Sequence, residues 1–279
     1  MAINLVTKFQ PYVDEMFTTE SKKELLTNND FDWTGAHSVK VYKVSTSSMN
    51  DYDRAGTGTN TSRYGVVKGL DATTEEFTLK KDRSFTFAID KLDKDETAQT
   101  LEGATALARQ QRQVVIPEVD SHVYGVMTAG AGTKATAKAL TAENIYDEII
   151  AATNTLDNAE VLETNRILVV TPDVYKIMKK SNDIIMNTDV SAEMRLQGVI
   201  GNLDGLTVIK VPAVRLPKNF GFMVAHPCAT VAPAKLEDYK IHQDPPGISG
   251  DLVEGRIVYD AFVLENKTKA IYYQALPTT

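Results

Sequence analysis

A long polar stretch at residues 46–65 separates two strand-like segments, and it limits how the chain can fold. Before it, Val39 and Val41 alternate with His37, Lys40 and Tyr42. After it, a cleaner alternation of apolar residues covers 77–89. The stretch is rich in Ser, Thr, Asn, Asp and Gly and is too long for a tight hairpin turn, and such connections are uncommon inside compact domains unless they are functional or mobile. We therefore interpret residues 36–90 as a two-stranded ribbon with a polar tip.

The reach of such a ribbon exceeds the size of a compact body. If residues 77–90 ran uninterrupted at ~3.3 Å per residue, they would span roughly 45 Å, whereas a compact chain of this length has a radius of gyration of about 19 Å. An isolated two-stranded ribbon is only marginally stable in water. The sequence predicts a ribbon that projects from a core and requires a partner surface.

Composition and charge place the chain among globular proteins without a nucleic-acid footprint. Hydrophobic residues make up 43% of the 279 residues, enough for a core. Lys and Arg number 30 against 37 Asp and Glu, and the resulting net charge of −7 argues against sequence-directed DNA binding. No apolar run approaches the ~18 residues of a membrane span, and no secretion signal opens the sequence.

No motif indicates catalysis, a cofactor or a metal. The single cysteine, Cys228, excludes an intrachain disulfide and a thiolate cluster, and the four histidines lack metal-ligand spacing. The glycine-rich segments at 56–58 and 130–134 match neither a dinucleotide fingerprint nor a Walker A loop. We expect no catalytic, cofactor-binding or metal-binding residues.

Residues 1–35 are predicted to form an arm with short helical pieces. The spacing of one helical stripe is shared by Phe9, Tyr12, Val13, Met16 and Phe17. Ser21 and Glu24 resemble a capping box for a turn that carries Leu25 and Leu26. The pattern fits packing on a neighbouring chain and packing on the arm's own domain equally well.

The strongest helical pattern covers residues 93–127. Asp93 is a candidate N-cap with Glu96 three residues later. The apolar stripe continues past Pro117, where the missing N–H and the ring predict a kink or a break.

Helix and strand patterns alternate from residue 141 onward. A helix that begins near Thr141 and Asn144 is predicted to bear Ile145, Ile149, Ile150 and Ala152. A buried strand at 167–170 leads into a helix that starts at Pro172, and strands follow at 206–211 and 220–225. The segments 256–264 and 269–274 are predicted to form an antiparallel pair.

The order of these elements, together with three stretches of sequence, resembles the major capsid protein of tailed bacteriophages. The stretches are KFQPYVDEMF and LLTNNDFDWTGAHSVKVYKV in the opening, FTFAIDKLDKDETAQTLEGATALARQQRQVVIPEVD in the middle, and GRIVYDAFVLENKTKAIYYQAL in the tail. The resemblance spans nearly the whole chain and rests on the overall pattern, because the family has no short catalytic signature.

The resemblance implies an α+β phage major-capsid fold with four parts. These are an N-terminal arm at 1–35, an extended β-hairpin E-loop at 36–90, a peripheral domain with a long spine helix at 91–140 and 226–279, and an α/β axial domain at 141–225. In that family, axial domains meet at the centres of hexamers and pentamers, while E-loops and arms lie across neighbouring subunits.

The resemblance also implies a structural, non-enzymatic role. It implies a virion protein, made in the bacterial host cytoplasm, that self-assembles through hexamers and pentamers into an icosahedral shell around double-stranded DNA. DNA would be enclosed without sequence-specific binding, and neither a cofactor nor a membrane is expected. Separate scaffolding, portal and decoration proteins are the other partners that the family implies.

Eight residues are candidates for inter-subunit contact. Four of them lie at the ribbon tip: Tyr52, Arg54, Arg63 and Tyr64. The tyrosines offer aromatic contact area, and the arginine guanidinium groups can pair with carboxylates on a neighbouring subunit. The arm would be anchored by Phe9, Met16 and Phe17, and its junction with the ribbon by Trp33. The alternative, left open here, is that these are solvated loop residues or parts of a local core.

Two features depart from patterns seen in some family members. Some carry a helical scaffolding segment ahead of the arm, whereas this arm begins at Met1, so we expect a separate scaffold or none. Some cross-link a ribbon lysine to an asparagine, but the tip at 46–65 contains no lysine, so we expect non-covalent joining.

Two other classes compete with this interpretation. An encapsulin-type bacterial compartment shares the fold but encloses a cargo enzyme, and binding of a cargo peptide instead of DNA filling would identify it. A soluble α/β enzyme with an unrecognised site would stay a compact monomer or dimer under all conditions.

Overall fold

The chain folds into two units, which a computed structural model describes over residues 20–28, 38–56, 58, 62–96, 103–181, 183–184 and 199–278. The larger unit, here called the body, comprises residues 1–32 and 80–279. The smaller unit, here called the ribbon, comprises residues 33–79.

Strands and helices alternate along the body, and two strands make the ribbon. Within the described residues the strands are β1 Ser38–Val44, β2 Ala72–Thr78, β3 Lys81–Asp90, β4 Thr133–Ala135, β5 Ile167–Val170, β6 Val199–Leu203, β7 Leu206–Lys210, β8 Phe220–Ala225, β9 Thr230–Val231, β10 Ala234–Gln243, β11 Gly250–Tyr259, β12 Phe262–Val263 and β13 Ile271–Ala275. The α-helices are α1 Lys91–Glu96, α2 Gly103–Gln110, α3 Ile116–Ala129, α4 Ile145–Asn158 and α5 Pro172–Met178.

A six-stranded mixed sheet with the order β4-β13-β8-β5-β7-β6 forms the centre of the body. Successive residues of β5 alternate between two buried clusters: Ile167 and Val169 join the cluster that includes α3, and Leu168 and Val170 join the cluster that includes α4. A strand covered on both faces needs an apolar residue at every position. The strands predicted at 167–170, 206–211 and 220–225 are therefore confirmed as β5, β7 and β8.

The two helices that follow the sequence prediction most closely pack on one face of this sheet. In α4, a buried stripe consists of Ile145, Ile149, Ala152 and Leu156, whereas Ile150 is on the same helix but partly exposed. The α5 helix starts at Pro172, as predicted, and the Thr171 hydroxyl caps it by accepting a hydrogen bond from the Val174 N–H at 3.2 Å.

A long helical run from 103 to 129 contributes its α3 part to the buried cluster on the opposite face of the sheet from α4. Its middle segment, Gln111–Val115, is a π-helix that ends just before Pro117. Proline has no N–H to donate to the carbonyl four residues earlier, and the wider π turn accommodates the missing hydrogen bond locally. The described part of the run therefore continues past Pro117, and the predicted disturbance takes the form of a π segment instead of a break.

The start of α1 corrects the predicted cap. The helix begins at Lys91, and the Asp90 carboxylate accepts a hydrogen bond from the Leu92 N–H at 2.8 Å. Asp93 lies inside the first turn, so its assignment as N-cap is wrong. Asp90 caps the helix because β3 ends there and the chain turns directly into α1.

A three-stranded antiparallel sheet with the order β10-β11-β3 forms the second part of the body. The rings of Phe85 and Tyr239 stack 6.1 Å apart over Gly255 in the central strand. A Cβ at position 255 would lie 2.4 Å from the Phe85 ring, so only glycine leaves room for this contact.

The pairing of β3 sets the limit of the ribbon. The alternating segment 77–90 is interrupted at Leu79 and Lys80, and β3 pairs with β11 in the body instead of continuing the ribbon. The predicted range 36–90 thus includes a strand that belongs to the body sheet. The predicted antiparallel pair between 256–264 and 269–274 is wrong, because β13 pairs with β8 and β4 while β11 pairs with β10 and β3.

Residues 20–28 pack on the body of their own chain. Leu26 is completely buried in the cluster that includes α3, and the Asn28 N–H donates to the Thr230 carbonyl at 2.9 Å. The predicted capping box does not form, because the Ser21 hydroxyl instead donates to the Asp120 carboxylate at 2.5 Å. Of the two possibilities that the sequence left open, residues 20–28 thus pack on their own domain.

A buried ion pair lies beneath this segment. Asp120 on α3 is 1% exposed, and the Arg215 guanidinium donates to its carboxylate at 2.8 Å. Burial raises the pKa of Asp120, while the Ser21 hydrogen bond and the Arg215 charge act in the opposite direction. The carboxylate is tolerated in the interior because both partners are in place.

We predict that Arg215→Met lowers the free energy of unfolding of the unassembled protein by about 3–5 kcal/mol, since it leaves a buried carboxylate without its countercharge. Urea denaturation measures this loss. Arg256→Met is the matched control, because Arg256 pairs with Asp82 at the surface and should change stability little. Equal losses in the two variants would contradict the assignment.

A buried histidine makes body stability depend on pH. His226 accepts a hydrogen bond on Nδ1 from the Cys228 N–H at 3.1 Å, which requires a neutral, acceptor Nδ1. Burial lowers the pKa of His226, while a hydrogen bond to the Thr164 backbone opposes the shift. Below the ordinary histidine pKa of about 6.5, protons therefore bind the unfolded chain preferentially.

From this linkage we predict that the wild-type protein loses free energy of unfolding, relative to His226→Asn, as the pH falls from about 7.5 to about 5.5. The asparagine amide oxygen can accept the same N–H but does not titrate. Urea denaturation across the pH series, with both proteins unassembled, gives the difference. Parallel curves over the whole series would show that His226 is not the titrating group.

Candidate inter-subunit surface

The ribbon consists of one antiparallel strand pair. Strands β1 and β2 pair from Ser38↔Thr78 to Val44↔Ala72 without a register shift. Cross-strand charges support this register: Lys43 lies 3.2 Å from Glu75, and Lys40 lies 3.5 Å from Glu76. At the far end, the Ser45 N–H donates to the Asp71 carbonyl at 2.9 Å and so closes the ladder where the tip begins.

Large apolar side chains stand exposed along the ribbon and its tip. Of the fourteen exposed large hydrophobic residues among those the structure describes, eight lie between 42 and 70: Tyr42, Val44, Met49, Tyr52, Tyr64, Val66, Val67 and Leu70. Met49 is 98% exposed and Val67 is 84% exposed. Such a concentration of exposed apolar area is typical of a surface that binds another protein.

The tip has local structure of its own. The Tyr52 and Tyr64 rings meet edge to face with their centroids 5.0 Å apart, and the Asn50 amide donates to the Tyr64 carbonyl at 3.2 Å. The Asp53 N–H donates to the Arg63 carbonyl at 2.9 Å. These contacts hold the two sides of the tip together at the positions that the sequence marked as contact candidates.

A carboxylate folds the turn at the end of the tip. Asp53 accepts hydrogen bonds from the N–H groups of Gly56 at 2.7 Å and Gly58 at 2.6 Å. Gly56 adopts a φ of 68°, which glycine reaches without strain. The Asp53 side chain thus supplies the acceptors for both glycine N–H groups of this turn.

The two predicted arginines of the tip are available to a partner. Arg54 and Arg63 are both exposed, and neither forms an ion pair with a residue that the structure describes. The sequence interpretation missed Met49, Val66, Val67 and Leu70. The available signal was the presence of isolated large apolar residues within an otherwise polar stretch.

The predicted contact residues of the arm lie outside the described residues. These are Phe9, Met16, Phe17 and Trp33.

The titratable residues of the body form structural pairs. His122 lies 2.7 Å from Asp260, His242 lies 3.3 Å from Glu254, and Cys228 is half-buried. Across the part of the chain that the structure describes, no group of His, Cys, Asp and Glu could hold a metal ion. No helix in those same ranges is long and apolar enough to cross a membrane.

Comparison with protein families identifies the chain. A family model described as phage capsid protein matches residues 72–274, which is most of the sequence. The chain belongs to the phage capsid protein family. It is a major capsid protein, a non-enzymatic structural component of the virion shell, and neither the encapsulin-type compartment nor the enzyme alternative is favoured.

Solved capsid structures confirm the major-capsid fold. The capsid protein resembles a chain of Mycobacterium phage Che8 with a TM-score of 0.70 and 20% identity, over 97% of this chain and 96% of that one. It resembles a chain of the capsid of the Cyanophage P-SCSP1u with a TM-score of 0.74 and 15% identity, over 98% and 93%. A chain of the mature capsid of bacteriophage PhiM1 gives a TM-score of 0.71 and 14% identity, over 99% and 93%. Comparison with curated protein sequences gives no match.

We predict that Asp53→Ala loosens the tip of the capsid protein, because two glycine N–H groups lose their acceptor. Trypsin, which cleaves after the exposed Arg54 and Arg63, should then cut the tip several times faster in the unassembled protein. Asp51→Ala is the control, since Asp51 is exposed nearby and is not an acceptor for these amides. A cleavage rate equal to that of the control would contradict the role of Asp53.

Proposed function

We propose that the capsid protein assembles through hexamers and pentamers into an icosahedral shell that encloses the double-stranded DNA of a tailed phage. The observation that carries this proposal is the apolar surface of the ribbon, where eight large side chains are exposed on the single chain. Full burial of one such side chain contributes about 1.5–3 kcal/mol. Closed rotational symmetry gives every copy a neighbour on which to bury the same surface.

The ribbon is proposed to act as the E-loop and to bind across a neighbouring subunit. Exposed aromatic side chains and unpaired arginines are the residue types enriched at protein interfaces. The N-terminal arm at 1–35 is proposed to add a second contact through Phe9, Met16 and Phe17, with Trp33 at its junction with the ribbon. Because residues 20–28 pack on their own body, the segment before them is the part of the arm that would reach a neighbour.

The body is proposed to contain the other two domains. The long helical run and the β10-β11-β3 sheet support a peripheral domain drawn from 91–140 and 226–279. The six-stranded sheet with α4 and α5 supports an axial domain centred on 141–225, whose sheet also takes in β4 and β13 from outside those limits.

The contacts between copies are proposed to be non-covalent, and DNA is proposed to be contained without sequence-specific binding. Residues 46–65 offer no lysine for a cross-link, and the net charge of −7 argues against a general affinity for phosphate. Synthesis in the host cytoplasm and the participation of separate scaffolding, portal and decoration proteins belong to the same proposal. In denaturing gels of intact shells, the capsid protein should run as a 30.7 kDa band, without covalently linked multimers.

The function is tested by expressing the protein and imaging the product by negative-stain electron microscopy. We predict that the wild-type protein forms shells and that Met49→Asp/Val67→Asp reduces shell yield at least tenfold, because two exposed apolar contacts are replaced by charges. Urea denaturation should show unchanged stability of the unassembled double variant, since both side chains are exposed.

Ser48→Asp is the matched control for this prediction. It adds a charge beside Met49 at an exposed polar position without removing apolar area, so shell yield should stay close to that of the wild type. Normal shell formation by the double variant would contradict the proposed role of the ribbon. A wild-type protein that stays monomeric under all conditions would contradict the proposed assembly.

A further inference from the structure

Three lysines from distant parts of the chain meet on the body. The Lys22 ammonium donates a hydrogen bond to the Lys210 carbonyl at 2.6 Å, which joins the segment at 20–28 to the end of β7. The ammonium groups of Lys179 and Lys210 lie 5.4 and 5.6 Å from the centroid of one ring, that of Tyr175 on α5. An aromatic ring attracts cations at this distance. We call Lys22, Lys179 and Lys210 the lysine cluster.

The buried carboxylate of Asp120 is close to this region but is already engaged. The Ser21 hydroxyl donates to it at 2.5 Å and the Arg215 guanidinium at 2.8 Å. Lys23, the next residue after Lys22, adds a further positive charge that acts on Asp120. The region therefore holds more positive charge than this one carboxylate can balance.

The exposed carboxylates of the same segment do not balance the cluster either. Glu20 and Glu24 form no ion pair with a residue in the described ranges, and the same holds for Lys179 and Lys210. Burial lowers the pKa of Lys22, and the charge of Lys210 lowers it further. Because like charges at this distance repel one another, an anion from outside the chain would stabilise the cluster.

The chemistry of the cluster favours a row of phosphates over an acidic protein segment. Carboxylates of a protein partner are held best by the planar fork of a guanidinium, and the guanidinium of Arg215 is occupied by Asp120. Lysine ammonium groups act as point charges, which bind phosphate oxygens without a fixed geometry. Duplex DNA presents closely spaced phosphates along its whole length.

We propose that the lysine cluster binds the phosphate backbone of the enclosed duplex DNA without reading its sequence. The inference rests on the proposed function, in which the shell contains DNA. The net charge of −7 argues against such affinity over the surface as a whole, so the contact made by one copy is weak and local. Its repetition in every copy of the shell adds to the total attraction.

Binding of duplex DNA to the unassembled protein tests the cluster. Lys179→Gln/Lys210→Gln removes two of its three ammonium groups. Fluorescence anisotropy of a short labelled duplex at low salt should show at least fivefold weaker binding than to the wild type. The slope of log affinity against log salt concentration should become less negative by about two, one for each lost phosphate contact. Two duplexes of unrelated sequence should bind equally well.

Lys267→Gln/Lys269→Gln is the matched control, because it changes the net charge equally. Both lysines are exposed and precede β13, whose first residue pairs at the end of the six-stranded sheet where β5 begins, whereas Lys210 pairs with Val170 where β5 ends. Wild-type affinity in this control supports the inference. Equal losses in the two double variants would show an effect of net charge alone and overturn it, as would a wild-type protein that binds no DNA at low salt.

Acetylation of lysines in the wild-type protein covers the case in which the cluster variant fails to fold. The unassembled protein is acetylated briefly with and without duplex DNA, and mass spectrometry gives the rate at each lysine. DNA should slow the modification of Lys179 and Lys210 at least threefold and leave Lys267 and Lys269 unchanged. Equal protection of all four lysines would overturn the inference.

Poly-glutamate in place of DNA tests an acidic protein segment as the partner. Protection of Lys179 and Lys210 by poly-glutamate but not by DNA would overturn the inference and assign the cluster to such a partner. Protection by DNA at a lower concentration of negative charge than poly-glutamate requires supports the inference.

Failure of this inference differs from failure of the proposed function. Shell formation by the wild-type protein is imaged separately, whereas DNA binding is measured on unassembled protein. Normal shells without cluster-dependent DNA binding would overturn the inference alone. Cluster-dependent DNA binding by a protein that forms no shells would contradict the proposed function.

Discussion

The two-stranded ribbon imposes the constraint on which the whole molecule depends, because its described residues form a single strand pair with exposed apolar side chains. Tyr42 and Val44 on β1, and Met49 and Val67 in the tip, keep most of their apolar surface in water on the single chain. A surface of this kind is unfavourable for a monomer and useful to an assembly. Membership of the phage capsid family gives it a natural partner, a second copy of the same chain.

The body has the opposite property, since it buries both faces of its six-stranded sheet and pairs the charges that lie in its interior, as in Asp120 with Arg215. These pairs fasten the segment at 20–28 and the entry to β3. A well-packed body presents the same surface in every copy, which closed symmetry requires.

Much of this fold could be predicted from the sequence, and the failures share a physical cause. The strands β5, β7 and β8 were predictable because strands buried on both faces are apolar throughout, and β1 with the polar tip because an alternating segment gives way there to a polar stretch. The second ribbon strand, β2, was not predictable in this way, because the alternating segment assigned to it lies mostly in β3. The partners of β3 and β13 were not, since an alternating strand carries no information about which distant strand it pairs with. Nothing in the sequence distinguishes Asp260 from an exposed aspartate, so its hydrogen-bond partners could be identified only from the folded structure. For the candidate surface, the tip residues could be identified, whereas Phe9, Met16, Phe17 and Trp33 stay predictions.

The most direct test of the account is the reactivity of the Met49 thioether before and after assembly. Brief oxidation converts an accessible methionine to its sulfoxide, and the fraction oxidised reports exposure. The account predicts that Met49 oxidises rapidly in unassembled protein and at least tenfold more slowly in shells, while buried Met223 stays slow in both. Equal oxidation of Met49 in the two states would contradict the claim that the ribbon buries its apolar surface on neighbouring copies.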